Sequence, residues 1–179
     1  GYIENVPNGV KLYKFDLKEL DRVKDLFRKH KPEIVYHFAA YAAEGLSPFI
    51  RKFNYENNLI ASTNLITCSI EQDVKRFIFA SSMSVYGNKY KPPFHEDLHN
   101  FYGQNQNIWD KYRNVLGIWM YQIINGMQPT IFGDGEQKRA FSYVDDSIIP
   151  FWNASQRDEC IDEIINLGGI KEYTINEAC

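Results

Sequence analysis

The alternation of continuous apolar runs with helical periodicity is the feature that most constrains this chain. Residues 33–40 read EIVYHFAA and residues 74–82 read VKRFIFASS, runs typical of strands that are buried on both faces. Residues 53–71 lie between them and carry apolar side chains at helical spacing. The side chains that this spacing predicts to point inward are Leu59, Leu65, Ile66 and Ile70. The order of these elements predicts two parallel strands joined by a crossover helix.

A further strand and helix precede this unit. Residues 10–15 read VKLYKF and alternate like a strand, and residues 16–30 place apolar side chains at helical spacing. Asp16 is the predicted N-cap of that helix, and basic residues fill its last turn. The first half of the chain is therefore predicted to form an α/β doubly wound parallel sheet with helices on both faces.

The second half has a different character. Residues 115–126 predict a helix ended by Asn125-Gly126. Residues 130–146 read TIFGDGEQKRAFSYVDD, which predicts a strand, a turn at Gly-Asp-Gly and a second strand. Asp146 is expected to cap the helix that follows, in which Pro150 must sit in the first turn or kink it. A last strand is expected at 163–169, and Thr174 is expected to cap a final helix.

Composition and charge exclude several classes of protein. The net charge of −3 predicts no nucleic-acid partner, and no apolar run approaches the roughly 20 residues that span a bilayer. The first residues, GYIENVPNGV, do not resemble a signal peptide. The three cysteines lie far apart, which favours reduced thiols, a cytoplasmic location and no metal site.

Six short motifs occur in a characteristic order: HFAA, NNLIASTNL, FASSMSVYG, YGQNQN, TIFGDGEQKRAFSYVDD and INLGG. Together they resemble the extended short-chain dehydrogenases/reductases, and within them the NAD-dependent nucleotide-sugar epimerases and dehydratases of the UDP-glucose 4-epimerase type. The resemblance implies part of a Rossmann-like NAD-binding domain in residues 1–98. It implies a mixed substrate-binding lobe, with a return to the sheet, in residues 99–179.

The chain departs from the pattern of that family at two motifs. It contains no G-x-x-G-x-x-G turn, and none of its twelve tyrosines has a lysine four residues further on. The segment HEDL ends at Leu98 and runs straight into HNFYG, which begins at His99, where the family has a helix and a strand. We therefore expect the 179 residues to be part of a longer chain and to be inactive alone. The alternative is an inactive homologue that keeps the sugar-binding half.

The serine-rich stretch after the strand at 76–79 is the candidate for catalysis. The resemblance aligns Ser82 with the family's catalytic serine, which orients the reacting sugar oxygen. Without the other motifs, two serines after a strand would be expected only to satisfy backbone groups at a turn. Alternation along the strand would point Ser81 and Ser82 to opposite faces.

The resemblance also implies a set of NAD contacts near the ends of the first strands. These residues are Asp16, Leu17, His37, Phe38, Ala39, Ala40, Asn58 and Ser81. The small side chains of Ala39 and Ala40 would let a cofactor approach the backbone at the carboxyl edge of the sheet. Two alternatives stay open, since His37 fits a packed core histidine and Asn58 fits an exposed helical asparagine.

Substrate contacts are implied at four further positions, which are Ser84, Asn100, Phe132 and Arg139. Arg139 matches the arginine that holds the nucleotide diphosphate, and a planar guanidinium can make two charge-assisted bonds to phosphate. A solvated strand arginine is the alternative. Phe132 is expected near the nucleotide base.

The function that this resemblance implies is NAD-dependent epimerisation of a UDP-sugar, between glucose and galactose forms, through a transient 4-keto sugar. A dehydratase or decarboxylase of the same family is the alternative reaction. The expected partners are a nucleotide-sugar substrate and a second copy of the chain, through the helix at 53–71. No nucleic acid and no membrane partner are expected.

Overall fold

A computed structural model describes residues 3–42, 46–82 and 115–179, and the backbone of 100–102. The chain divides into two compact units, Gly1–Ala80 and Ser81–Cys179. The expected domain boundary at 98/99 borders on residues 83–99, which lie outside the described residues, so that boundary stays a prediction.

Two parallel strands form the centre of the first unit. Strand β1 (Ile34–His37) pairs with β2 (Arg76–Phe79), with Ile34 opposite Arg76 and His37 opposite Phe79. The chain between them is helical, as α2 (Arg51–Asn54), a π-helical segment (Tyr55–Ile60) and α3 (Ala61–Glu71). This continuous 51–71 stretch, the long helix, confirms the predicted crossover.

The core of the first unit lies between α3 and α1 (Leu20–His30). Val23 and Phe27 of α1 are four residues apart and share one face, which packs on Leu65 and Cys68 of α3. Helix α1 ends where Lys31 adopts a left-handed conformation, with φ of 44°, and donates its N–H to the Phe27 carbonyl. Pro32 then prevents the helix from continuing.

Three local predictions for this unit are wrong. Residues 10–15 form no strand, because a strand requires a paired neighbour and no described segment pairs with them. Asp16 is not an N-cap, since α1 starts at Leu20 after Glu19. Of the four side chains expected inside, only Leu65 is buried. The exposed ones are Leu59, Ile66 and Ile70.

The second unit contains a three-stranded mixed sheet. Strand β3 (Asn100–Tyr102) runs parallel to β4 (Lys138–Tyr143), which pairs antiparallel with β5 (Glu172–Thr174). Its helices are α4 (Val115–Ile124), α5 (Val144–Ser155) and α6 (Ile175–Ala178). Short 3₁₀ turns occur in each unit, at Ile3–Asn5 and Asp158–Cys160. The strands predicted at 130–132 and 163–169 do not form, and β5 was not predicted.

Helix ends in this unit agree with most of the sequence signals. Gly126 follows α4 with φ of 70°, as the Asn125-Gly126 pair predicts. The Thr174 hydroxyl accepts the Glu177 N–H at 3.1 Å, and Glu177 accepts the Thr174 N–H at 2.8 Å, which completes a capping box. Asp146 is not a cap, because it lies inside the first turn of α5 after Tyr143. Pro150 lies further inside α5 than the first turn.

Candidate functional site

The carboxyl ends of β1 and β2 form the edge where parallel sheets bind ligands. Phe38, Ala39 and Ala40 follow β1 directly and are exposed, and the Ala80 N–H after β2 donates to the His37 carbonyl at 3.1 Å. The two alanines present no side chain beyond Cβ. These alanines therefore leave the backbone open to solvent, and the approach of a cofactor to it stays a prediction.

A single asparagine fixes the loop after β1. The Asn58 carboxamide accepts the Tyr41 N–H at 2.7 Å and donates to the Tyr41 carbonyl at 3.1 Å. Asn58 lies in the π-helical segment of the long helix, a conformation that often marks functional sites. Its carboxamide is thus engaged with the loop, and a direct contact with the cofactor stays a prediction.

His37 ends β1 and is buried, with 3% of its surface exposed. Its Nε2 lies 2.7 Å from the Ser62 hydroxyl, which in turn donates to the Asn58 carbonyl. Its ring also packs on Phe77 and Phe79. Burial lowers the pKa of His37, because the charged imidazolium would lose its hydration. These contacts fit the packed-histidine alternative, and a cofactor contact from His37 stays a prediction.

The turn that contains Asp16 and Leu17 is held by the same long helix. The buried Asn64 side chain donates to the carbonyls of Leu17 and Lys18, at 2.9 and 3.1 Å. The Asp16 carboxylate accepts the Lys18 N–H at 2.9 Å, which lowers the pKa of Asp16. Leu17 packs against the core between α1 and α3.

Both segments expected to contact NAD in the first unit are therefore positioned by amides of one helix. From its motif Asn58 was expected to contact the cofactor, whereas no role was predicted for Asn64 or Ser62. The available signal was the polar residues that stand beside the apolar ones on this helix, because a buried polar side chain needs a partner.

The candidate serines lie beyond the end of β2. Ser81 and Ser82 are both exposed and open the second unit. The expectation that strand alternation separates them is wrong, because β2 ends at Phe79 and imposes no alternation on them. Ser84 lies outside the described residues, and the catalytic and cofactor roles of the serines stay predictions.

Two of the expected substrate residues are described with side chains in the second unit. Phe132 is 76% exposed, and the Gln137 side chain donates to its carbonyl at 3.2 Å. Arg139 lies on β4 and donates from its guanidinium to the Lys138 carbonyl at 2.6 Å. Asn100 pairs through its backbone with Phe141, so parallel register brings its strand beside that of Arg139. The side chain of Asn100 lies outside the description.

The turn between Phe132 and Arg139 is clamped by α6. The Asn176 side chain donates to the Asp134 carbonyl at 3.0 Å and to the Glu136 carboxylate at 2.7 Å. Gly133 and Gly135 adopt φ of 75° and 74°, which favours glycine. The turn is therefore held in one conformation close to both candidate substrate residues.

Metal binding and membrane insertion find no structural support in the part of the chain that the structure describes. There, no three His, Cys, Asp or Glu side chains gather as metal ligands would. No helix among the same residues combines the length and apolar character needed to cross a bilayer. The three cysteines are unbridged, and burial raises the pKa of the Cys68 thiol.

Comparison with known families identifies the relatives of this chain. The sequence model of the NAD dependent epimerase/dehydratase family matches residues 2–101 and 97–168. The chain belongs to this family. Its α/β Rossmann-like fold is thereby confirmed, and NAD is the cofactor of the family to which it belongs.

Individual relatives agree with this family membership. The UDP-glucuronate 4-epimerase of Thermodesulfobacterium geofontis is 28% identical over 205 aligned positions, which cover 93% of this chain and 61% of that protein. The chain thus spans under two thirds of that relative's length.

Two solved epimerases share the fold over nearly the whole chain. The UDP-glucose 4-epimerase of Thermotoga maritima, solved with UDP-glucose, matches 99% of this chain and 69% of its own, with a TM-score of 0.85 and 25% identity. The UDP-N-acetylglucosamine 4-epimerase of Methanobrevibacter ruminantium, solved with UDP-N-acetylmuramic acid, matches 99% and 68%, with a TM-score of 0.87 and 26% identity.

Proposed function

We propose that this chain is the larger part of an NAD-dependent nucleotide-sugar 4-epimerase, and that its substrate is a UDP-sugar that passes through a transient 4-keto form. The observation that carries the proposal is the match of 99% of the chain to two epimerases, each solved with a UDP-linked sugar. UDP-glucose and UDP-galactose are the substrate pair to test first.

Several residues proposed to contact the cofactor belong to the first unit. NAD, when bound, would accept and return the hydride of the sugar carbon. The exposed Ala39 and Ala40 fit a cofactor that must approach the backbone, and Asn58 keeps that loop in place. Asp16 offers a half-exposed carboxylate beside Leu17 for the adenosine end. Its lowered pKa keeps it ionised, and therefore able to accept hydrogen bonds, near neutral pH.

The chemical step requires a base that takes the sugar hydroxyl proton as the hydride leaves. Ser82 is proposed to orient that hydroxyl, which places the proton for transfer. A phenol, with a pKa near ~10, needs a nearby positive charge to serve as the base. The 179 residues contain no tyrosine with a lysine four residues on. We therefore propose that these residues alone bind ligands without turnover.

Several residues proposed to contact the substrate belong to the second unit. Arg139 would hold the diphosphate, and Phe132 would lie along the uracil ring. Asn100 would contact the sugar or the phosphate from the neighbouring strand. The clamp of the 133–137 turn by Asn176 supports these roles, since a nucleotide needs a loop of fixed shape.

Two alternatives have their own support. Dehydratases belong to the same family, so a 4-keto sugar that reacts further is the second candidate reaction, with a decarboxylase as its variant. A nucleotide-sugar-binding homologue without catalysis is the third candidate, and the missing Tyr-x-x-x-Lys pair favours it.

We also propose that the protein forms a homodimer through the long helix. Leu59 and Ile60 lie next to each other on that helix and are about half exposed, although both are apolar. Two such faces would bury each other in a symmetric pair. Light scattering of Leu59→Asp against the parent chain tests this, and a monomeric parent would exclude it.

The function is tested by assaying the full-length protein with NAD and UDP-glucose or UDP-galactose. We expect interconversion of the two sugars that requires NAD and yields no net NADH. Stoichiometric NADH would indicate a dehydrogenase, and loss of water or CO₂ from the sugar would indicate the alternative reactions. A full-length protein that binds no NAD would contradict each of these NAD-dependent reactions. The 179 residues alone should bind UDP and show no turnover.

A further inference from the structure

The loop that follows β1 is held at both of its ends by the long helix. At its start, Nε2 of the His37 ring lies 2.7 Å from the Ser62 hydroxyl. At its end, both backbone groups of Tyr41 bond to the Asn58 carboxamide, at 2.7 and 3.1 Å. Residues 38–40 lie between these two ties and include the exposed alanines that are proposed to face NAD. The position of this stretch therefore depends on two residues of one helix.

The two ties are also joined to each other. The Ser62 hydroxyl donates to the Asn58 carbonyl, four residues earlier on the helix. This bond lies where the π-helical segment ends, since the Ala61 N–H donates to the Glu56 carbonyl, five residues earlier. One hydroxyl thus contacts the end of the strand and the backbone of the residue whose side chain holds the loop.

The single hydrogen of the Ser62 hydroxyl decides which nitrogen of His37 is protonated. A hydroxyl has one hydrogen to donate, and a backbone carbonyl can only accept. Because the Ser62 hydrogen is donated to the Asn58 carbonyl, the Ser62 oxygen must accept the hydrogen bond from His37. The neutral His37 ring therefore carries its proton on Nε2, and Nδ1 is its unprotonated nitrogen.

Packing restricts the position of the His37 ring. Only 3% of the residue is exposed, and the rings of Phe77 and Phe79 pack on it with centroids 6.0 and 5.4 Å away. In these apolar surroundings a buried Nε2–H without a partner would cost free energy. Ser62 supplies the partner, so loss of its hydroxyl should displace the ring and, with it, the end of β1.

The next residue on the helix makes a similar bond without the contact to β1. Thr63 is exposed, and its hydroxyl donates to the Leu59 carbonyl, also four residues earlier, at 2.9 Å. Helical serines and threonines often bond to their own helix in this way. Such a bond is therefore common to Ser62 and Thr63, and the contact with His37 distinguishes Ser62.

We infer that Ser62 is a positioning residue for the cofactor, because it fixes the tautomer and the orientation of His37 and thereby places the 38–40 loop for NAD. The inference rests on the proposed function for the identity of the ligand, whereas the two ties and the tautomer belong to the folded chain itself. Ser62 acts through His37 and is not proposed to touch NAD or the sugar. Threonine keeps the hydroxyl and should replace serine here, whereas alanine should not.

The test compares Ser62→Ala and Ser62→Thr in the full-length protein, with Thr63→Ala as the matched control. Isothermal titration calorimetry measures the affinity for NAD, and steady-state assays separate KM from kcat. We expect Ser62→Ala to raise the Kd for NAD by roughly threefold to tenfold, as the loss of one hydrogen bond predicts. The kcat at saturating NAD should change by less than about twofold. Ser62→Thr and Thr63→Ala should keep the parent Kd.

Hydrogen exchange gives a second readout that needs no ligand. The Ala80 N–H bonds to the His37 carbonyl at the start of the loop, and the Tyr41 N–H bonds to the long helix at its end. Both amides should exchange at least ~threefold faster in Ser62→Ala and at the parent rate in Thr63→Ala. Nitrogen NMR of the histidine rings at about pH 8, where the imidazole is neutral, should find the His37 proton on Nε2 in the parent protein.

These readouts separate failure of the inference from failure of the proposed function. A parent protein that binds no NAD would contradict the proposed function, and hydrogen exchange would still decide whether Ser62 positions the loop. A His37 proton on Nδ1 would overturn the inference. So would a Ser62→Ala variant that loses stability but keeps the parent exchange rates and the parent Kd. If Ser62→Ala does not fold, Ser62→Cys takes its place, since a thiol is a weak donor, and the same differences are expected.

Discussion

Asn58 and Tyr41 are joined by both halves of one carboxamide, which accepts the Tyr41 N–H at 2.7 Å and donates to the Tyr41 carbonyl at 3.1 Å. The pairing resembles one rung of a β-ladder, except that a side chain replaces the second strand. It ties the loop after β1 to the helix that crosses the sheet. The position of Ala39 and Ala40 relative to a ligand therefore depends on an amide 17 residues further along the chain than Tyr41.

Replacing Asn58 by alanine should loosen this loop. Both backbone groups of Tyr41 lose their protein partner, which we expect to cost about 1–2 kcal/mol of unfolding free energy. Urea denaturation measures the loss, and hydrogen exchange at the Tyr41 amide should become faster. Asn57→Ala is the matched control, since its side chain makes one bond within the same helix, to the Phe53 carbonyl. Equal losses in the two variants would contradict the role of Asn58 in the loop.

Acidification should destabilise the first unit through His37. Burial lowers the pKa of His37 in the folded protein, whereas in the unfolded chain the imidazole has its ordinary pKa of 6.5. The stability that neutral His37 contributes is therefore fully present above pH 6.5. It is lost as the pH falls further, because the unfolded state takes up the proton more readily than the folded state. The partners of the His37 ring are Ser62, Phe77 and Phe79, none of which carries a charge.

Denaturant midpoints between pH 7.5 and 5 measure this dependence. His37→Gln should show a flatter profile than the parent chain. The lowered pKa values of Asp16 and Glu177 act in the carboxylate range, below about pH 4.5. A parent profile flat across this window would contradict the assignment.

Gly133 and Gly135 have nearly the same φ but different surroundings. A Cβ at Gly133 would meet nothing within 4 Å, whereas one at Gly135 would overlap the Asn176 side chain. Gly133→Ala should cost about 1 kcal/mol, from the left-handed backbone alone. Gly135→Ala should cost about 2–3 kcal/mol, because Asn176 must also give up hydrogen bonds. Thermal unfolding of the two variants gives the comparison, and equal costs would show that the Asn176 clamp is unimportant.

The sequence predicted the β–α–β unit because its signals were local and redundant. The runs at 33–40 and 74–82 were continuously apolar and the stretch at 53–71 had helical spacing, and parallel pairing followed from the crossover that this order requires. The prediction of a strand at 10–15 was wrong for a non-local reason. The residues alternate as a strand requires, but no described segment pairs with them. The prediction that Ile66 and Ile70 are buried was wrong for a similar reason. Helical spacing shows which residues share a face, but it does not show whether another element covers that face.

The sequence singled out segments of the candidate site but not the contacts that hold them. HFAA and Asp16 were proposed as cofactor contacts from their resemblance to the family, and those roles stay predictions. Their support by Asn58 and Asn64 was not predicted, because those hydrogen bonds join residues 17 and 47 positions apart. The prediction that Ser81 and Ser82 point to opposite faces was wrong because β2 ends at Phe79, three residues before the end of the predicted run.

Arg139 should contribute mainly to substrate binding. A charge-assisted bond to phosphate is worth about 1.5–3 kcal/mol, so Arg139→Ala should weaken UDP binding by roughly tenfold to a hundredfold. The diphosphate is remote from the reacting carbon, so most of the loss should appear in KM. Lys138→Ala is the matched control, since Lys138 is the neighbouring cation on β4 and lies 4.0 Å from Glu172. Isothermal titration calorimetry measures the affinity of each variant for UDP. An unchanged affinity in Arg139→Ala would contradict the proposed contact between Arg139 and the diphosphate.

Ser82 should matter to the chemical step, and Ser81 should not. Both are exposed beyond β2, and it is the resemblance of the FASSMSVYG motif to the family that leads us to propose Ser82 as the contact of the sugar hydroxyl. Loss of a positioned proton-transfer partner commonly costs about 10²–10⁴ in rate. Ser82→Ala in the full-length protein should therefore lower kcat by that factor, with a small change in affinity for the UDP-sugar. Ser81→Ala is the matched control, because it removes the same hydroxyl one residue away. Steady-state assays with UDP-glucose and UDP-galactose compare the two, and equal kcat values would mean that both serines serve only the turn.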